Sequence, residues 1–169
     1  MSDAFETLGV SRRFTLNPQE LEQRHRDLSR ALHPDRYVSA APAERRVAME
    51  RAIAVNDAFR TLRDPLARAL ALLKLRGVTI EEGERASPAL LMEIMELREE
   101  LESARGKSEK IARLRGDVSA HIEREHRALA DALDRDGEVD KTTLARAREA
   151  AVKLKYLRRF EEEADAMED

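Results

Sequence analysis

His33 and Asp35, separated only by Pro34, are the side chains in this sequence whose types and spacing come closest to chemistry. An imidazole and a carboxylate held two positions apart can trade a proton, or present a donor and an acceptor in fixed directions, provided the backbone between them is stiff. Pro34 supplies the stiffness, because its ring fixes its own φ and turns His33 away from helical geometry. Nothing nearby supplies a nucleophile, a glycine-rich phosphate loop, a nucleophile elbow or an oxyanion hole, so no catalytic residue is assigned. The tripeptide reads as an exposed recognition tip or as a plain surface turn between two helices.

The other histidines are His25, His121 and His126. Five residues apart, His121 and His126 stand about 140° apart on a helix, which disfavours joint ligation of a metal and reads as a solvated pair; the HExxH zinc pattern also fails. With no cysteine in the chain, disulfides, thiolate catalysis and cysteine-held zinc or iron-sulfur clusters are all removed. Neither a metal site nor a cofactor is expected.

The elements that must position His33 and Asp35 follow from composition and punctuation. The 169 residues are 42% hydrophobic and 38% charged but only 4% aromatic, a balance that favours an all-α protein with salt-bridged surfaces. Net charge is −3, which gives no general attraction to nucleic acid or to an anionic membrane. No apolar run is long enough to span a bilayer and no secretion signal opens the sequence, so the cytoplasm is the expected location.

Asp3 to Val10 is a short amphipathic segment ended by Gly9, too short to stand without docking. Asn17-Pro18-Gln19-Glu20 starts a helix that runs to about Leu32, with Asn17 as the cap. Leu21, Leu28 and Leu32 fall within roughly 20° of one line at 100° per residue, facing the core, and Arg26 and Arg30 lie opposite. With Arg24 on the flank and Arg36 beyond the tip, one edge is basic: either a docking surface or a solvated face paired with Glu20, Glu22 and Asp27. The return helix spans Pro42 to about Arg63, with Val47, Ala54, Ala58 and Leu62 beside Ile53, Val55 and Phe59. Asp64-Pro65 starts a dense apolar helix ending at Gly77, and Val78 to Ala86 is a polar connection.

Ser87-Pro88 opens the next helix. Leu90, Ile94, Leu97 and Leu101 lie within roughly 40° of one another and suffice for a core stripe. Leu91, Met92 and Met95 sit roughly 100° to 200° away from that stripe, interleaved with Glu96 and Glu99. This second apolar face is either buried in a three-helix bundle or exposed as an adaptable Leu/Met binding patch rimmed by carboxylates. Ser108 to about Leu133 carries Ile111, Leu114, Val118, Ile122, Leu129 and Leu133 along one seam; after the turn Asp134 to Asp140, a last helix runs from about Thr142 to about Ala164, with Tyr156 off its seam.

Assembled, residues 3 to about 75 resemble the J-domain of DnaJ-type co-chaperones. The resemblance rests on His33-Pro34-Asp35 after a basic helix and on Asn56-Asp57-Ala58-Phe59-Arg60-Thr61-Leu62 with Asp64-Pro65 after it. LMEIMELREELE (Leu91 to Glu102) and LKYLRRF (Leu154 to Phe160) extend it to the HscB family, the J-proteins of iron-sulfur cluster assembly. The resemblance implies a J-domain at 1–76, a connection at 77–87 and a C-terminal three-helix bundle at 88–169, set at an angle in an L shape. It implies two partners, an HscA- or DnaK-type ATPase chaperone and an IscU-type iron-sulfur scaffold. His33, Pro34 and Asp35, with Arg24, Arg26, Arg30 and Arg36, would contact the chaperone; Leu91, Met92, Met95, Glu96 and Glu99, with Tyr156 where the family has Phe, would hold the scaffold. The family continues with an acid where this chain has Ser103, so either Glu102 compensates or the acidic rim is weaker. The absence of an N-terminal cysteine module favours the bacterial form. A general J-domain co-chaperone for unfolded chains, and a helical interaction protein with an incidental tripeptide, stay open beside this expectation.

Overall fold

The computed structural model describes residues 2–81, 84 and 86–167, and all regular structure among them is helical. In chain order the helices are α1 (Ala4–Leu8), α2 (Pro18–Ala31), α3 (Pro42–Arg63), α4 (Pro65–Leu75), α5 (Pro88–Ser103), α6 (Ser108–Leu133) and α7 (Lys141–Asp165), with a 3-10 turn at Pro34–Tyr37. Two compact units divide the chain, Met1–Leu72 and Leu73–Asp169, and the division falls inside α4. Of the polar connection, Glu82, Gly83 and Arg85 lie outside the described residues.

Short-range hydrogen bonds start the helices where the sequence pattern puts them. Asn17 Oδ1 accepts the amides of Gln19 and Glu20 at 3.0 and 3.4 Å, and Asp64 Oδ1 accepts those of Leu66 and Ala67 at 2.8 and 3.2 Å. Ser87 Oγ accepts the Leu90 amide at 3.3 Å. Each cap satisfies amides that have no partner inside their own helix, and the proline that follows gives up none. Gly9 ends α1 at φ 64°, a left-handed conformation that side chains with a Cβ resist.

In the first unit, α1 and α2 pack on α3. Phe5 and Leu8 of the five-residue α1 are buried at 0% and 1% exposure, which is the docking that so short a helix requires. Leu21 is fully buried, whereas Leu28 and Leu32 are half-buried, because cover thins toward the tip. The core line of α3 differs from the sequence expectation: Ala48, Val55, Ala58 and Leu62 are buried, while Val47, Ile53 and Ala54 are exposed. Two apolar arcs compete on this helix, and α1 and α2 cover only one of them. Arg68 spans the base, its guanidinium 5.1 Å from the Phe14 ring centre and its Nη1 donating to the Leu62 carbonyl at 2.7 Å.

In the second unit α6 and α7 form an antiparallel pair across the turn at 134–140, and α5 lies along α7. Ile111, Val118, Leu129 and Leu133 of α6 meet Leu154, Leu157 and Phe160 of α7 in a core that Leu90, Ile94 and Leu101 of α5 complete. Each such side chain contributes about 1.5–3 kcal/mol by leaving water. Arg76, just after α4, donates to the carbonyls of Ala132, Leu133 and Arg135 at 3.4, 2.9 and 3.3 Å, closing the C-terminus of α6 with a cation where the helix dipole favours one.

Candidate functional site

The tip is built from the way α2 ends. Leu32 closes α2, its amide bonding to the Leu28 carbonyl at 2.9 Å, and His33 swings to φ −59°, ψ 133° as Pro34 demands. His33 Nδ1 accepts the Asp35 amide at 3.3 Å and lies 3.4 Å from Asp35 Oδ2. In the neutral ring, an Nδ1 that accepts leaves the proton on Nε2 as a donor. The side chains of His33 and Asp35 keep 58% and 86% of their surface, so a rigid donor and acceptor stand in water. Tyr37 fastens the turn from behind: its hydroxyl donates to the Ala31 carbonyl at 3.4 Å, satisfying a carbonyl of the last α2 turn. The aromatic ring two residues past Asp35 was the sequence signal for that fastening.

Arg24, Arg26, Arg30 and Arg36 are all exposed. Arg24 approaches Glu20 at 3.9 Å and Arg26 donates to Gln23 at 3.2 Å, both weak local contacts. Arg30 and Arg36 have no ion-pair partner among the described residues. The edge therefore delivers uncompensated positive charge next to the tip. Beside it lies an open cleft of about 570 Å³ whose lining includes Arg36, Tyr37, Val47 and Arg51.

The second surface is on α5. Its core stripe is satisfied by burial, with Leu97 half-buried, and Leu91, Met92 and Met95 keep 39%, 63% and 60% of their surface. The alternative in which the bundle buries these three does not occur. Glu96 and Glu99 are exposed and have no cation partner among the described residues. Glu102 does not extend this rim as a free charge: Arg105 donates to both its oxygens at 2.9 and 3.2 Å, while Ser103 Oγ turns back to the Glu100 carbonyl at 2.8 Å. The i,i+3 spacing of Glu102 and Arg105 was the sequence signal for that neutralisation. Tyr156, on α7, is half-buried.

Behind the exposed face, charges join the three helices. Lys153 Nζ of α7 donates to Glu93 of α5 at 3.0 Å and approaches Glu125 of α6 at 3.7 Å, and His121 Nδ1 lies 3.3 Å from Glu93. His121 and His126 are thus half-buried and engaged rather than a solvated pair; for His121 the reason is Glu93, which α5 brings against it. Burial pushes the Glu125 carboxyl above its ordinary range; Lys153 opposes the shift and Glu93 adds to it. Among the described residues no group of three or more His, Asp or Glu could hold a metal ion, and no helix is long and apolar enough to cross a membrane.

Residues 86–165 match the family model described as the HSCB C-terminal oligomerisation domain. The co-chaperone protein HscB homolog of Bordetella pertussis is 41% identical over 138 residues, covering 80% of this chain and 81% of that protein. The Azoarcus homolog is 36% identical over 167 residues, covering 96% and 92%. Among solved structures, chaperone HscB from Vibrio cholerae is similar with a TM-score of 0.85 at 32% identity, over 99% of this chain and 98% of that one. Human co-chaperone protein HscB is similar with a TM-score of 0.86 at 27% identity, over 98% and 82%. The chain belongs to the HscB family of co-chaperones.

Proposed function

We propose that this chain is the adaptor that brings an IscU-type iron-sulfur scaffold to an HscA- or DnaK-type ATPase chaperone in the cytoplasm and stimulates that chaperone's hydrolysis. The observation that carries the reading is the coexistence, in one HscB-family chain, of a rigid exposed His33/Asp35 tip and an α5 face of Leu91, Met92 and Met95 left over by a completed core. Residues 1–76 serve as the J-domain, 77–87 as the connection and 88–169 as the scaffold-holding bundle.

The division of labour follows from the two surfaces. Leu91, Met92, Met95 and Tyr156 bury apolar area against the scaffold, and Glu96 and Glu99 steer and orient it. Arg24, Arg26, Arg30 and Arg36 hold an acidic surface of the chaperone while His33, Pro34 and Asp35 engage it at the tip. Holding both partners raises the scaffold's concentration at the chaperone. Hydrolysis belongs to the chaperone, and this chain supplies geometry.

The test is steady-state ATP hydrolysis by the same organism's HscA-type chaperone, with this protein or its His33→Gln variant, with and without the scaffold. Synergy between protein and scaffold that the variant loses supports the adaptor. Stimulation indifferent to the scaffold points to a general co-chaperone, and no stimulation returns the tip to a structural turn.

A further inference from the structure

The candidate scaffold face is shared by two helices, and α5 sits on α7 through charged clamps as well as its apolar stripe. Lys153 reaches Glu93 at 3.0 Å, and Arg98 donates Nε and Nη2 to the two carboxylate oxygens of Glu163 at 2.8 and 2.6 Å. Because the numbers rise together from one clamp to the next, α5 and α7 run parallel.

Leu91 stands seven residues before Arg98, and Tyr156 stands seven residues before Glu163. On parallel helices each interval is about 10.5 Å, so the register of the bidentate Arg98–Glu163 pair puts Leu91 at the level of Tyr156, while Lys153, sixty residues from Glu93 rather than sixty-five, reaches its partner along the helix axis. A guanidinium fork on a carboxylate restrains rotation as well as distance, which a lysine's single contact does not. The pair also neutralises Arg98, three residues from Met95, where a free cation would sit in a face rimmed by Glu96 and Glu99.

We propose that Arg98 and Glu163 are a positioning pair for partner docking: they set the register of α5 against α7 so that Leu91 and Met95 join Tyr156 in one surface. The proposal rests on the scaffold reading of that face.

The test is calorimetric binding of an IscU-type scaffold to the full chain and to Arg98→Met, Arg98→Lys, Glu163→Gln and the exchange Arg98→Glu with Glu163→Arg, with thermal melts confirming that each variant is folded. If charge alone matters, Arg98→Met makes the face more acidic and strengthens binding to a basic partner, Glu163→Gln weakens it, and Arg98→Lys changes nothing. Positioning predicts instead that all three single variants lose about fivefold in affinity, the scale of a well-formed ion pair, and that the exchange recovers most of it. Single variants that move in opposite directions, an unaffected Arg98→Lys, or an exchange that binds no more tightly than the single variants would overturn the proposal and leave the scaffold reading standing. A wild-type chain that does not bind the scaffold overturns both.

Discussion

His25 on α2 reaches Asn56 on α3, Nε2 to Oδ1 at 2.9 Å, while its ring stacks on Phe59 with centroids 4.1 Å apart and planes 12° from parallel. One imidazole thus joins the two long helices of the first unit by a hydrogen bond and a ring contact, midway along α2. His25→Ala removes both and is expected to destabilise the unit by about 1–2 kcal/mol. Urea unfolding followed by circular dichroism measures it; an unchanged midpoint would show that the stack contributes nothing.

Met92 and Met95 make their case through exposure. Residues that keep most of their surface contribute little to folding, so Met92→Asp and Met95→Asp should leave the melting temperature within about 2 °C of wild type. Scaffold affinity should nonetheless fall by more than about tenfold, because an apolar anchor is replaced by a charge inside the contact. Binding by titration calorimetry checks this, and retained affinity in both variants would remove α5 from the interface.

Arg105 governs how acidic the rim is. With Glu102 tied to Arg105, the face offers Glu96 and Glu99 as its free carboxylates. Arg105→Gln releases Glu102 and is expected to tighten scaffold binding about twofold to fivefold at low salt, the energy of one exposed charge pair. The gain should fade as ionic strength rises through 0.15 M, where screening acts within about 8 Å. A salt-independent change would point to a local rearrangement.

Acid titration has a sign that differs between sites. Burial raises Glu125 above its ordinary 4.5, so in the window just above that value the folded chain binds a proton more tightly than the unfolded one, and stability falls as pH rises through it. Glu125→Gln should remove this contribution, leaving a flatter urea midpoint than wild type in the window just above pH 4.5. Asp3 and Asp140 act oppositely. Partial burial raises Asp3, but the Glu6 amide and Arg12 outweigh it, and the Thr143 hydroxyl and amide hold Asp140 low. Their stabilising effect is present above their ordinary 3.8 and is lost as pH falls below it.

Helix positions were legible in the sequence because the bonds that start and stop them span two to four residues: Asn17, Asp64 and Ser87 with the prolines behind them, and Gly9 at the end of α1. The tip was legible for the same reason, since Pro34 acts on its own neighbours. The exposed Leu/Met face followed from angles on a single helix, which fixed that Leu91, Met92 and Met95 could not share the core side with Ile94. Whether a third helix covered them was a question of packing.

Sequence by itself determined the helical spans, the rigid His33-Pro34-Asp35 turn and the separation of two apolar faces on α5, all consequences of local backbone geometry and helical period. Tertiary structure alone decided which arc of α3 enters the core, that Leu91, Met92 and Met95 stay in water, that His121 meets Glu93, and that Arg98 locks onto Glu163 sixty-five residues away. Those outcomes depend on which helices lie side by side, and charge pairing across such distances in the chain leaves no period to read.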